Sequence, residues 1–266
     1  MAADIKALRT RIKSVDSTLH LTKAMGLVAS SKIRRANEAM AKSKQYAQTL
    51  CDVTRTLAAC PECEKSPYMQ AGGDRLKLIV IAGDRGLAGG YNANVFRLAK
   101  EYPQAEILPI GKRACDRFGK ETVSSEHFSG KDAYALAKKL CAGFENREYD
   151  RLAILCTKYV SMMTQTAEIR EVLPLKKEEE RKAGSAIFEP DAKTILETAI
   201  PEYVAGVLQA AVKESFASEA AARRMAMDSA GKNAAAMIDE LQLQYNRARQ
   251  GAITQEITEI VAGSGA

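Results

Sequence analysis

Apolar and small residues recur at alternating intervals of three and four along the first part of the chain, where there is no proline and a single glycine. An average spacing of about 3.5 residues is just below that of a straight α-helix, so this seam stays on one side only if the helix supercoils around a partner. At about 1.5 Å per residue, such a helix would be roughly 80 Å long. The pattern therefore predicts one half of a coiled coil over residues 1–58. Its seam positions are Ile5, Leu8, Ile12, Val15, Leu19, Thr22, Gly26, Ala29, Ile33, Ala36, Met40, Ser43, Ala47, Leu50, Thr54 and Leu57.

A second helical pattern runs from Pro201 to about Ala262, and proline is well suited to the first turn of a helix. Nine alanines between residues 217 and 236 would let another helix approach closely. We expect residues 201–266 to wind antiparallel on residues 1–58 as the second half of the coiled coil. The predicted second seam is Met227, Ala230, Ala234, Met237, Leu241, Gln244 and Ala248.

Both helices carry apolar residues that lie off these seams. The first helix has Leu21, Met25 and Val28 on another face, and the extreme carboxyl end has the stripe Ile253, Ile257, Ile260 and Val261. An exposed apolar stripe predicts an enclosing partner. The alternative is that these residues pack on the sister helix in a three-faced contact.

Between the helices the pattern changes to alternating strands and helices. Strands are predicted at residues 76–83, 105–111, 151–157 and 164–175, the last as an edge strand, with helices near 92–101, 112–119 and 131–144. The fold class is therefore α/β with a long antiparallel coiled coil. A Rossmann-like βαβ domain with a mostly parallel sheet, residues 74–190, is inserted between the two halves of that coil.

Charge is concentrated on the first helix. Residues 4–46 hold ten Lys or Arg against three acids, which gives +7, whereas the whole chain has +6. Such a basic helix can meet an acidic protein surface, anionic lipid or nucleic acid, or it can simply be a solvated face. Tyr46 is its only aromatic residue, which disfavours nucleic acid. No apolar run approaches 18 residues and the start resembles no signal peptide, so we expect no membrane-crossing segment.

Two local motifs invite a chemical interpretation. The loop GDRGLAGGYNAN, residues 83–94, is rich in glycine but lacks both G-x-G-x-x-G and G-K-[ST], so it favours a structural or docking loop over a nucleotide site. Cys60 and Cys63 form a C-x-x-C pair, which favours two reduced structural thiols over a redox dithiol because neither a second pair nor a strand-to-helix setting accompanies it. No catalytic or metal-binding constellation is predicted, and His20 and His127 are isolated.

Three stretches resemble one known family. They are LTKAMGLVASSKIRRA at residues 21–36, the loop at residues 83–94, and SEAAARRMAMDSAGKNA with LQLQYNRARQGAITQEITEIVAG at residues 218–234 and 241–263. In this order, and over the whole chain, they resemble the gamma subunit of the F-type rotary ATP synthase.

The resemblance implies a central shaft that rotates inside a hexamer of alpha and beta subunits, with a foot domain that meets the epsilon subunit and the membrane c-ring. It implies no cofactor, no active site and only peripheral contact with the membrane. The start resembles no transit peptide, so we expect a bacterial protein on the cytoplasmic face of the plasma membrane. Carried over residue by residue, the beta-subunit contacts are Lys23, Met25, Arg249, Gln250, Thr254 and Glu256, and the bearing residues are Ile253, Ile257, Ile260 and Val261.

Two other hypotheses predict different outcomes. A nucleotide-dependent enzyme requires a ligand at residues 83–94, which calorimetric titration with ATP and NAD would detect. A nucleic-acid-binding protein would show a salt-dependent mobility shift through its basic helix. The rotor hypothesis predicts copurification with three alpha and three beta subunits.

Overall fold

The computed structural model describes residues 2–70, 72–176 and 188–264. Parts of the segments predicted at 1–58, 74–190 and 201–266 therefore lie outside the described residues. The elements in chain order are α1 (Ala2–Ala58), β1 (Leu76–Ile81), α2 (Tyr91–Ala99), β2 (Glu106–Ile110), α3 (Lys112–Phe118), α4 (Gly130–Glu145), β3 (Arg151–Tyr159), β4 (Gln165–Leu173) and α5 (Ala192–Ser264), with short 3₁₀ helices at Pro61–Lys65 and Pro67–Met69.

The seam predicted for α1 is confirmed at every position. All of its predicted residues are buried or partly buried, and the residues next to them are mostly exposed. Small residues hold the deepest places in its middle, where Ala29 and Ala36 are buried. Small seam residues allow the partner helix to approach closely.

The start of the last helix differs from the prediction. α5 begins at Ala192, and Pro201 lies inside the helix instead of in its first turn. Asp191 provides the cap that the sequence interpretation missed, because its Oδ1 accepts a hydrogen bond of 2.9 Å from the backbone N–H of Thr194. Pro201 removes one backbone hydrogen bond of the helix, but the neighbouring Ile200 and Val204 are fully buried and hold this stretch in place.

The sheet has the strand order β2-β1-β3-β4. β1 pairs in parallel with both β2 and β3, so Ile79 lies between Leu108 and Ile154, and β4 runs antiparallel to β3 at the edge. β1 is buried along almost its whole length, as is usual for a central strand covered on both faces. The mostly parallel sheet with β4 at its edge is confirmed.

The chain divides into two compact units. The larger unit, Ser30–Arg223, contains the sheet together with the adjoining stretches of α1 and α5. Its main core joins Leu57 of α1 and Leu196 of α5 to strand residues such as Ile79 and Ile154. A smaller cluster on the sheet, which includes Val95, packs beneath α2 and α3. The stretches of α1 and α5 next to the sheet are therefore part of the core of the α/β unit.

The smaller unit combines residues up to Ala29 with those from Arg224 onward. A Cβ on Gly26 would lie 3.7 Å from the Cβ of Met227, and a Cβ on Gly231 would lie 3.5 Å from Oγ1 of Thr22. As the residue number rises along one helix it falls along the other. The two helices of this unit are therefore antiparallel, as predicted.

The predicted register of the second seam is wrong at two positions. Met237 is 43% exposed and Gln244 is exposed, whereas their neighbours Ile238 and Tyr245 are partly buried. The inward positions after Ala234 are Ile238, Leu241, Tyr245, Ala248 and Ala252. These positions again alternate steps of four and three, so the seam keeps its heptad spacing with a register shifted by one residue at Met237 and Gln244.

Candidate functional site

The residues predicted to contact a beta subunit all lie in the smaller unit. On α1, Lys23 is exposed and Met25 is partly buried. On α5 all four predicted residues are exposed, at Arg249, Gln250, Thr254 and Glu256. The Oγ1 of Thr254 donates a hydrogen bond of 2.9 Å to the carbonyl oxygen of Gln250. These residues thus form part of the accessible helix surface, and their contact role remains a prediction.

The four predicted bearing residues form an exposed apolar stripe at the end of α5, which we call the apolar tip: Ile253, Ile257, Ile260 and Val261. Their exposed fractions range from 46% at Ile253 to 70% at Ile260. Leu21 and Val28 on α1 are similarly exposed, at 59% and 57%. The alternative that these side chains pack on the sister helix is wrong, because in the described structure they face outward.

The glycine-rich loop after β1 uses its polar groups within the protein. The N–H of Gly83 donates to Oδ1 of Asn92 at 3.0 Å, and the carbonyl oxygen of Gly83 accepts a hydrogen bond of 3.1 Å from the N–H of Arg113. A Cβ on Gly83 would lie 2.6 Å from the carboxyl carbon of Glu219 on α5. A larger residue at this position would therefore require the Glu219 carboxylate to shift.

Asp84 is the centre of a second set of loop contacts. Its carboxylate accepts hydrogen bonds from the backbone N–H groups of Lys112, Ser125 and Glu126 at 2.9 to 3.0 Å, and from Oγ of Ser124 at 2.5 Å. Burial alone would raise the pKa of Asp84, but these donors outweigh burial and hold the pKa below its ordinary value. Asp84 therefore ties the loop after β1 to residues 124–126.

An ion pair on α5 attaches the loop after β1 to that helix. Arg223 and Glu219 lie one turn apart on the helix and pair at 2.5 Å, with side chains that are 12% and 3% exposed. Arg223 also donates to the carbonyl oxygen of Gly86 at 3.3 Å. Burial raises the pKa of Glu219, although Arg223 opposes this shift. The loop carbonyl and the carboxylate thus share one partly buried guanidinium.

A set of helix hydroxyls anchors the end of β3. The backbone N–H of Thr157 donates to Oγ of Ser215 at 3.1 Å, and Oγ of Ser218 donates to the carbonyl oxygen of Thr157 at 3.2 Å. The hydroxyl of Tyr91 donates to the carbonyl oxygen of Ser215 at 3.1 Å. The sequence interpretation missed these anchors. The available signal was the pair of serines at helical spacing, Ser215 and Ser218, within an alanine-rich stretch of the helix.

These contacts explain why the loop at residues 83–94 lacks the features of a phosphate site. Backbone N–H groups that cradle phosphate must point at the ligand, whereas the N–H of Gly83 is already bonded to Asn92. A carboxylate, Asp84, accepts the hydrogen bonds at the adjacent strand end. The described geometry therefore favours the docking-loop interpretation.

The C-x-x-C pair is buried. Cys60 and Cys63 are free thiols in the described structure, and both are shielded from solvent. Burial raises the pKa of the Cys63 thiol to about 11, so very little reactive thiolate forms near neutral pH. This environment favours structural thiols.

One helix contains an apolar window that sequence inspection overlooked. By length and composition alone, α5 has an 18-residue window with a mean hydropathy of 1.2. Half of that window is buried inside the protein, as is common for a core helix. Its apolarity is thus accounted for in part by packing in the α/β unit.

The fold and surfaces define a class of protein with two long terminal helices, paired antiparallel, and an α/β domain inserted between them. A family model described as ATP synthase matches residues 4–266. An ATP synthase gamma chain of Ruminococcus albus is 40% identical and one of Geotalea uraniireducens is 36% identical, each covering 98% of both chains. The chain belongs to the ATP synthase gamma chain family.

Solved structures share the fold. The rotor of the Euglena gracilis mitochondrial ATP synthase, in rotational state 1, matches with a TM-score of 0.70 and covers 95% of this chain and 100% of that one. A central stalk structure of the Tetrahymena thermophila mitochondrial ATP synthase matches with a TM-score of 0.64 over 79% of this chain and 99% of that one. Their identities of 19% and 20% establish a common fold.

Proposed function

We propose that this chain is the rotating central shaft of an F-type ATP synthase, which couples ion flow through a membrane ring to ATP synthesis or hydrolysis on beta subunits. The observation that carries the proposal is the outward-facing apolar surface of the smaller unit, namely the apolar tip together with Leu21 and Val28. Exposed apolar area costs about 25 cal/mol per Å² relative to burial, so these exposed apolar side chains favour an enclosing partner. Membership of the gamma chain family supports a ring of alpha and beta subunits as that partner.

The proposed contacts with beta subunits follow from charge and position. The basic α1 would face an acidic loop of a beta subunit, with Lys23 providing charge and Met25 an apolar contact. On α5, Arg249 and Gln250 would form a polar catch, and Thr254 and Glu256 would lie beside it. The apolar tip would turn in an apolar bearing, a ring of apolar side chains formed by the alpha and beta subunits of the hexamer.

The chain would act without chemistry of its own. A shaft whose sides differ in charge and apolarity contacts each beta subunit differently, and each contact favours a different conformation of that subunit. A partner can shift such an equilibrium only by its differential interaction with the two states, which is what an asymmetric surface supplies. Rotation would then cycle each beta subunit through its nucleotide affinities.

The α/β unit would form the foot of the shaft, where the epsilon subunit and the c-ring bind. In this arrangement the chain would lie peripherally on the membrane, on the cytoplasmic face in a bacterium. The attachment would be to protein, and no nucleic acid would take part.

A copurification experiment tests the proposal. The affinity-tagged full-length chain, coexpressed with the alpha and beta subunits of the same organism, should elute with three of each, as native mass spectrometry would count. A variant with Ile253, Ile257 and Ile260 replaced by serine should retain less of the hexamer. As the matched control, Val160→Ser with Met163→Ser changes exposed apolar residues of the α/β unit and should retain the hexamer fully. Elution of the wild-type chain without alpha and beta subunits would disprove the proposal.

A further inference from the structure

The larger compact unit ends at Ser30 on α1 and at Arg223 on α5. Both ends carry a basic side chain that is bound by the loops of the α/β domain. We call this arrangement the collar and define it as loop residues 83–86 and 124–126 with the helix residues Lys32, Glu219 and Arg223. All of its members belong to the larger unit.

The collar holds α1 through Lys32. Its ammonium group forms a partly buried ion pair with the carboxylate of Glu126, and the pairing lowers the pKa of Glu126. The same ammonium lies 5.9 Å from the centre of the Phe216 ring on α5, within cation–π range. One cation thus contacts the domain loop and the second helix together.

The collar holds α5 through the ion pair of Arg223, which is partly buried, and Glu219, which is buried. The guanidinium binds the carbonyl oxygen of Gly86, and Glu219 fills the space left by the missing side chain of Gly83. A buried charged pair that loses one partner leaves an uncompensated charge, which is much more costly than the loss of an exposed pair. This contact therefore resists sliding or rotation of the helix against the loop.

Asp84 connects the contacts made by α1 with those made by α5. It lies in the loop that contacts α5, and its carboxylate accepts hydrogen bonds from Ser124, Ser125 and Glu126 in the loop that contacts α1. Hydrogen bonds to charged groups are directional, whereas apolar contacts are non-directional and adapt to small displacements. The collar thus joins both helices to the loops of the α/β unit through a series of polar contacts.

We propose that the collar is the joint through which torque passes between the α/β domain and the two long helices. This inference rests on the proposed rotor function and deepens it by assigning Lys32, Asp84, Glu219 and Arg223 as positioning residues. Apolar packing holds the helices in the domain but opposes turning under load without directional bonds. The charged hydrogen bonds prevent that turning.

A charge reversal tests the joint in the complete ATP synthase reconstituted in vesicles. Lys32→Glu places two carboxylates together, and ion transport per ATP hydrolysed should fall to about half or less, because charged hydrogen bonds are strong and their loss weakens the joint. ATP hydrolysis itself should continue. Transport would be followed with pH-sensitive and sodium-sensitive dyes. The double variant Lys32→Glu with Glu126→Lys restores the opposite charges and should recover the wild-type ratio.

The control is Arg151→Glu, which reverses one charge of the exposed Arg151–Glu171 pair elsewhere in the same unit and should leave the ratio unchanged. A merely structural role for Lys32 would lower the amount of assembled complex while the transport ratio of the remaining complexes stays at the wild-type value, and that result would overturn the collar proposal. Failure of the double variant to recover would also overturn it. Failure of the wild-type chain to assemble with alpha and beta subunits would instead reject the rotor function itself.

Discussion

Gly111 joins β2 to α3 in a backbone conformation that favours glycine. Its φ angle is +99°, and a Cβ on this residue would lie 1.9 Å from the carbonyl oxygen of Ala82 in the neighbouring connection. The blocking atom is a backbone carbonyl oxygen, which cannot rotate away as a side-chain atom can. The position of the β2–α3 turn therefore depends on one missing methyl group.

We expect Gly111→Ala to lower the free energy of unfolding by more than about 2 kcal/mol, the sum of positive-φ strain and a backbone collision. Gly119→Ala is the matched control, because Gly119 has a φ of +63° but nothing within 4 Å of the added Cβ. It should cost only about 1 kcal/mol. Urea unfolding of the full-length variants, followed by circular dichroism, would measure both. Equal losses would contradict the collision argument.

Asp84 makes the stability of the α/β unit depend on pH. Its folded-state pKa lies below the ordinary value of 3.8, so the ionised carboxylate stabilises the fold above that value. The contribution is lost as the pH falls through the lower, folded-state pKa. Acid should therefore remove the advantage of Asp84 over an uncharged side chain of the same shape.

Asp84→Asn should lower the free energy of unfolding by about 2 kcal/mol at neutral pH, because several backbone donors lose an ionised acceptor. The difference from wild type should remain constant down to about pH 5 and shrink below about pH 4. Urea titrations at a series of pH values would test this. A difference that grows in acid would mean that the carboxylate is not stabilised in its ionised form.

At the scale of elements, the pairing of the long helices in the smaller unit depends on which face of α5 turns inward. Leu241 is 5% exposed, whereas Leu243, two residues further along the same helix, is 51% exposed. Ile238 and Tyr245 lie on the same side as Leu241, while Met237 and Gln244 do not. The same residue type thus occurs on the inner and outer faces of one short stretch.

Leu241→Ala should lower the free energy of unfolding by about 2 to 3 kcal/mol, since it removes buried methyl groups and leaves a cavity. Leu243→Ala should change it by less than about 0.5 kcal/mol, because exposed substitutions have small effects. Thermal unfolding of the two full-length variants would compare them under one condition. A greater loss for Leu243→Ala would contradict the inward position of Leu241.

At the scale of the whole molecule, a substitution at Met25 tests whether the proposed contact of α1 with a beta subunit couples rotation to transport. Met25→Lys adds a charge to the α1 face that we propose meets a beta subunit, so rotation should become uncoupled from transport. In reconstituted vesicles, ion pumping per ATP hydrolysed should fall severalfold while hydrolysis continues, because a misplaced charge alters differential binding by 1 to 3 kcal/mol or about 5- to 150-fold. Leu27→Lys adds the same charge two residues along α1 and should have the smaller effect. Unchanged pumping per ATP in Met25→Lys would refute the contact.

The elements and their order followed from local pattern. The seam of α1, the four strands and the inserted α/β domain were all predictable, because burial of one helix face or of a whole strand leaves a periodic record in the residues themselves. The apolar tip was predictable in the same way, since its residues are spaced for one face at the end of a helix. Periodicity reports which residues share a face but not what covers that face.

The places where prediction failed are those where several elements meet. The start of α5 depended on the cap at Asp191 rather than on Pro201, and after Ala234 the inward positions are Ile238 and Tyr245 rather than Met237 and Gln244. The collar joins Lys32, Asp84 and Arg223, which are far apart in the chain.

The sequence by itself therefore determined the two helices, the sheet and the apolar residues that lie off the helix seams, because each of these is recorded in local spacing. Only the tertiary structure decided which charges are buried together and which glycines are required. Those outcomes depend on distances across the fold, and side-chain packing and desolvation act at those distances.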